Sequence, residues 1–168
     1  MREERWEISS LALDSLGRKL YYAVPNLHRI SRLALDGGGL ELNLPLITVA
    51  RNLVVDSMLA KICWVYAQSS VECSGLDGEN VQTISKFGLW EDNKIVNLAL
   101  DAQKHLLYIT IYNPVSSVKY TVMEHRLDGS GGHREVGALT MSGIQGRMEF
   151  LDGKLFFVQN SETLVTYD

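Results

Sequence analysis

Six aspartates recur at matching places along this chain, and a carboxylate can serve a metal ion, a proton transfer or a turn. Asp14, Asp56 and Asp101 each end a short apolar run: Leu11-Ala12-Leu13, Leu53-Val54-Val55 and Leu98-Ala99-Leu100. Asp36, Asp77 and Asp128 each stand in a Leu-Asp-Gly triplet further on. Carboxylates at equivalent strand ends invite a metal or acid/base reading. The local alternative is that each accepts hydrogen bonds from the backbone N–H groups of the turn it opens, and Asp-Gly itself suits a tight turn. The local reading is the one adopted, so all six are read as structural.

The other reactive side chains assemble into no motif. His28, His105, His125 and His133 lie in four separate local contexts, none a two-histidine motif. No Ser/His/Asp or Cys/His set follows from spacing. The stretch Gly129-Ser130-Gly131-Gly132-His133-Arg134-Glu135 lacks the lysine and the following helix of a phosphate loop. It also has Glu135 where a kinase catalytic motif needs aspartate. A hairpin turn accounts for it. Cys63 and Cys73 fall on consecutive strands of one unit. A cross-strand disulfide and two reduced buried thiols both fit that placement. No catalytic, cofactor-binding or metal-binding residue is assigned.

The elements that hold these residues are strands. Apolar spacing of the helical kind is sustained nowhere, whereas short apolar or alternating runs between Gly, Asn, Asp and Ser turns recur throughout. Those runs repeat. After Asp14, Asp56 and Asp101 a second strand is under way six positions later, at Leu20, Ile62 and Leu107, and the aspartates are 42 and 45 residues apart. A fourth unit starts near Met148, turns at Asp152-Gly153 and continues through Lys154–Gln159. Units in the forties with about four strands each indicate propeller blades. Within each, a nearly all-apolar first strand lies inside and second-strand aromatics (Tyr21, Tyr22, Trp64, Tyr108) fill the wedge between sheets. Tyr22, Trp64 and Phe157 are read as core.

The pattern Leu-Ala-Leu-Asp, a turn, Gly-Arg/Lys-Leu-Tyr and a strand ending at Leu-Asp-Gly resembles the LDL-receptor class B, or YWTD, repeat. Three units in register and part of a fourth cover about residues 8–168. The motif itself has diverged, to Tyr21-Tyr22-Ala23-Val24, Cys63-Trp64-Val65-Tyr66, Tyr108-Ile109-Thr110-Ile111 and Phe156-Phe157-Val158-Gln159. Its aspartate is absent from every unit. In the family that aspartate helps tie neighbouring blades, so the resemblance implies a different or weaker tie here. The units Asn97–Ile111 and Gly153–Asn160 also resemble the ectodomain propellers of Ros/sevenless-type receptor tyrosine kinases.

The expected fold is all-β: four-stranded antiparallel blades over about 8–50, 51–92, 93–142 and, incompletely, 143–168. Because the resemblance implies six blades, the chain is expected to be part of a larger propeller. The implied function is a non-catalytic extracellular interaction module of a receptor-like protein, with any kinase activity elsewhere in the polypeptide. Its partners would be a protein ligand or adjoining domains. Trp6, Phe87 and Trp90 fall outside the repeat pattern and are the candidate contact residues. Alternatives are a lactonase- or esterase-like propeller and an intracellular scaffold. With 16 Lys+Arg against 20 Asp+Glu and no basic cluster, nucleic acid is set aside. No apolar run suits a signal peptide or a membrane span, so membrane insertion by this segment is not expected.

Overall fold

A computed structural model describes residues 7–38, 40–45, 48–86, 93–139, 144–159 and 163–167. Four antiparallel sheets follow one another along the chain. The first holds β1 (Ser10–Asp14), β2 (Lys19–Val24), β3 (Arg29–Ala34) and β4 (Leu40–Asn43). The second holds β5 (Ala50–Asp56), β6 (Lys61–Tyr66), β7 (Ser70–Gly75) and β8 (Gln82–Lys86). β9 (Lys94–Asp101), β10 (Leu106–Tyr112), β11 (Tyr120–Arg126) and β12 (His133–Leu139) make the third. β13 (Ile144–Leu151), β14 (Lys154–Gln159) and β15 (Thr163–Tyr167) make the fourth. Each sheet is a meander, its strands neighbouring in chain order. A 3₁₀ turn at Pro25–Leu27 is the only helical element among the described residues.

The turn after the first strand explains the spacing of the repeats. In the first three sheets it has four residues, and its last member (Arg18, Ala60 or His105) takes a left-handed φ of 50°, 51° or 54°. That conformation turns the chain back into β2, β6 or β10. The fourth sheet turns in two residues, Asp152 (φ 49°) and Gly153 (φ 82°), the pattern of a type I′ hairpin.

The strands pack in two compact units, Met1–Ser85 and Lys86–Asp168. In the first, Tyr21, Ala23 and Ile30 meet Leu53, Ile62 and Trp64 in a core between the first two sheets. In the second, Ala99, Tyr120 and Val122 meet Met148, Leu155 and Phe157 between the last two. Side chains alternate along each strand, so one face supplies each core. The alternation also corrects an expectation about β1. Its Ser10, Ala12 and Asp14 point into the unit, while Leu11 and Leu13 point the other way and are 43% and 52% exposed. The apolar composition of β1 therefore does not enclose it.

Candidate functional site

All six repeat aspartates hold turns. The Asp14 carboxylate accepts the Gly17 N–H at 3.0 Å. Asp56 accepts from Met58 and Leu59 (3.1 and 3.0 Å), and Asp101 from Gln103 and Lys104 (3.0 and 3.2 Å). At the corners Asp36, Asp77 and Asp128 accept from Gly38, Glu79 and Ser130, at 2.9, 3.0 and 2.9 Å. The strand-end carboxylates are buried while the corner ones lie near the surface, which matches the depth of the two turns. Gly17 has a steric reason as well: a Cβ there would run into the Asp14 carboxylate it caps.

Cys63 and Cys73 are directly opposed on β6 and β7 and are joined as a disulfide, with Cα atoms 4.1 Å apart. Beside them Trp64 is opposed to Glu72, and its Nε1–H donates to the carboxylate at 3.1 Å. Burial pushes the Glu72 carboxyl above its ordinary range, and the indole hydrogen bond offsets part of that rise.

In the first unit, side-chain hydrogen bonds tie the two sheets together. The Tyr21 hydroxyl and Arg32 Nη1 both donate to the Leu76 carbonyl, at 3.0 and 2.9 Å. The Ser10 hydroxyl accepts the Leu53 N–H at 2.8 Å, and the Ser57 hydroxyl accepts the Ser15 N–H at 3.1 Å. These bonds cross from the first sheet to the second.

The second unit opens a groove instead. Tyr108 stacks on Phe150 with ring centroids 5.3 Å apart and planes 15° from parallel. Glu124 is the cross-strand neighbour of Tyr108, and Arg134 the neighbour of Glu124. Arg134 Nε donates to Glu124 at 2.8 Å. With Val136, Gly153 and Leu155 these side chains line a hollow of about 200 Å³. A second hollow of about 300 Å³ lies beside the turns Ala102–Lys104 and Asp152-Gly153 and shares Phe150 and Gly153 with the first. Burial raises the Tyr108 phenol above its usual value, helped by the negative charges of Glu124 and Asp101. The groove has an aromatic floor and a rim carrying both signs of charge. Its hollows lie at or below the small end of small-molecule pockets, about 300–1,000 Å³, and suit one or two side chains of a partner.

Sequence reasoning missed one juxtaposition. His125 and His133 are directly opposed on β11 and β12, with ring centroids 4.5 Å apart. The available signal was symmetry, since both lie four positions from Gly129 in the Leu-Asp-Gly corner. Trp6, Phe87 and Trp90 lie outside the described residues. Among the described residues no three His, Cys, Asp or Glu side chains group so as to hold a metal ion.

No protein-family model matches the chain, and no curated protein does. Solved structures match it throughout. A chain of a nidogen/laminin complex superposes at a TM-score of 0.72 and 17% identity, covering 100% of this chain and 62% of that one. The fold is that of a β-propeller. A streptogramin B lyase follows at 0.65 and 13%, covering 99% of this chain and 56% of its own. A calcium-binding protein, regucalcin, from Agrobacterium tumefaciens matches at 0.65 and 11%, covering 98% and 55%. This propeller chain thus spans little more than half the length of those it matches. Likeness at such identities concerns the fold, which hosts many activities.

Proposed function

We propose that this propeller segment is a non-catalytic protein-interaction module, acting outside the cell as part of the ectodomain of a receptor-like protein. The observation that carries the reading is the match of this whole chain to part of a chain solved in a nidogen/laminin complex. The groove of Tyr108, Phe150, Glu124 and Arg134 supports it, because an aromatic floor with an arginine at its rim is the composition of a contact site. The Ros/sevenless-like motif spelling extends the proposal to a receptor tyrosine kinase whose catalytic domain lies elsewhere. Blade limits near 50, 92 and 142 belong to the same proposal.

The test is a tetramerised form of the chain screened against arrayed secreted and cell-surface ectodomains. A specific binder is expected, with its signal reduced at least about tenfold by Phe150→Ala or Arg134→Ala. Binding that persists in both variants would move the contact away from the groove.

A second reading, a propeller enzyme, is favoured by the matches to streptogramin B lyase and regucalcin. It predicts that calcium raises the melting temperature and that ester or lactone substrates are turned over. Neither effect is expected of the interaction module.

A further inference from the structure

We propose that His125 and His133 form a surface site for a divalent transition-metal ion of the imidazole-seeking class, Cu²⁺, Ni²⁺ or Zn²⁺. The argument rests on geometry and stands apart from the interaction reading. The two residues are a register pair across β11 and β12, so the strand ladder fixes their backbones. Their rings are 4.5 Å apart between centroids. Two ligands each about 2.0–2.1 Å from one ion, in neighbouring coordination positions, lie about 3 Å from each other. Ring nitrogens on imidazoles this close reach that separation by small side-chain rotations.

Access and charge also suit a cation. His133 is exposed and His125 half-buried, so solvent reaches the pair from the β12 side. On β10 the residue opposed to His125 is Leu107, which makes the inner flank apolar. Arg126 and Arg134 directly follow the two histidines in their strands, so alternation turns their side chains to the opposite face of the sheet, where each lies by a carboxylate. Arg126 lies 3.8 Å from Asp128, and Arg134 lies 2.8 Å from Glu124. A dication beside the pair therefore meets little net positive charge. Imidazole suits Cu, Ni and Zn, with Cu²⁺ bound most strongly in the usual order. Two protein nitrogens leave the remaining positions to water or to a donor brought by another molecule. The second imidazole binds intramolecularly, at the high effective concentration that makes a chelate stronger than a lone histidine.

Calorimetric titration of the whole chain with Cu²⁺ and Ni²⁺ tests the site. One ion per chain is expected, Cu²⁺ tighter than Ni²⁺, with affinity at least about tenfold weaker in His125→Gln and in His133→Gln. His28→Gln should bind as the parent does. Bound Cu²⁺ should show hyperfine coupling to two imidazole nitrogens by electron paramagnetic resonance, and to one in either variant. If His125→Gln fails to fold, His133→Gln, on the outermost strand, carries the test. Absence of stoichiometric binding, or parental affinity and an unchanged spectrum in folded His133→Gln, would overturn the proposal.

Discussion

Tyr21 and Tyr108 hold the same place in their repeats, seven residues after Asp14 and Asp101, yet their surroundings differ. Tyr21 is wholly buried, its hydroxyl bound to the Leu76 carbonyl together with Arg32. Tyr108 is only partly buried, stacked on Phe150 and flanked by the Glu124–Arg134 pair, with a hollow beside it. The cross-strand partner decides the difference. Arg32 lies opposite Tyr21, whereas Glu124 lies opposite Tyr108. Arginine brings donors that, with the Tyr21 hydroxyl, hold a backbone carbonyl of the next blade. Glutamate cannot donate and turns instead to Arg134. The unit 86–168 relies on apolar packing, with a Thr110 hydroxyl on the Met148 sulfur at 3.1 Å. One repeat position thus becomes a structural tie in one unit and part of an open groove in the other.

Four experiments break or sharpen this contrast. The largest effect belongs to the cores, where the units should behave alike. Trp64→Ala and Phe157→Ala each remove a ring that is at most 1% exposed, and each should cost about 3–5 kcal/mol by denaturant unfolding. A loss below about 1 kcal/mol for either would place that ring on the wrong face.

Turn caps come next. Asp56→Ala and Asp101→Ala each remove a carboxylate that accepts two backbone N–H bonds. Both should lose about 1.5–3 kcal/mol, in keeping with hydrogen bonds to a charged acceptor. A cost confined to one of them would show that the repeats do not share the cap energetically.

The contrast itself is tested by removing one hydroxyl from each unit. Tyr21→Phe should cost about 0.5–1.5 kcal/mol, because the Leu76 carbonyl then loses the Tyr21 donor and keeps the Arg32 one. Tyr108→Phe should stay within about 0.5 kcal/mol of the parent. Equal losses would erase the distinction.

The smallest effects are in the pH dependence. Glu72 and Tyr108 are both acids raised in the folded chain, so folding retains their protons. Each contribution is fully present below the unfolded value and fades as pH climbs through the folded one. Stability should decline slightly above pH 4.5 for Glu72 and above pH 10.0 for Tyr108. Glu72→Gln should flatten the acidic segment of the stability curve. In ultraviolet titration Tyr108 should ionise above the ordinary phenol range, and Tyr108→Phe should reduce the late-ionising amplitude by one tyrosine.

Much of the architecture was written locally. The spacing from Asp14, Asp56 and Asp101 to the next strand reflects turn chemistry, since a carboxylate binds N–H groups two or three residues on. Alternation over six or seven residues identifies a strand because the pleat has a period of two. The opposition of Cys63 to Cys73 was also within reach, because one short turn joins β6 to β7. The exposure of Leu11 and Leu13 is not legible in this way, since composition says that a strand is apolar without saying what lies against each face.

By itself, then, the sequence determined that this protein is a set of like antiparallel sheets, where each turns, and which carboxylates hold the turns. These depend on neighbours a few residues away. Only the tertiary structure decided which bonds tie the first two sheets, and that Tyr108 borders a groove while Tyr21 is sealed. Those facts depend on contacts such as that of Tyr21 with Leu76, 55 residues apart. No local pattern records such a distance, because it is settled only when sheets pack and every buried polar group must find its partner.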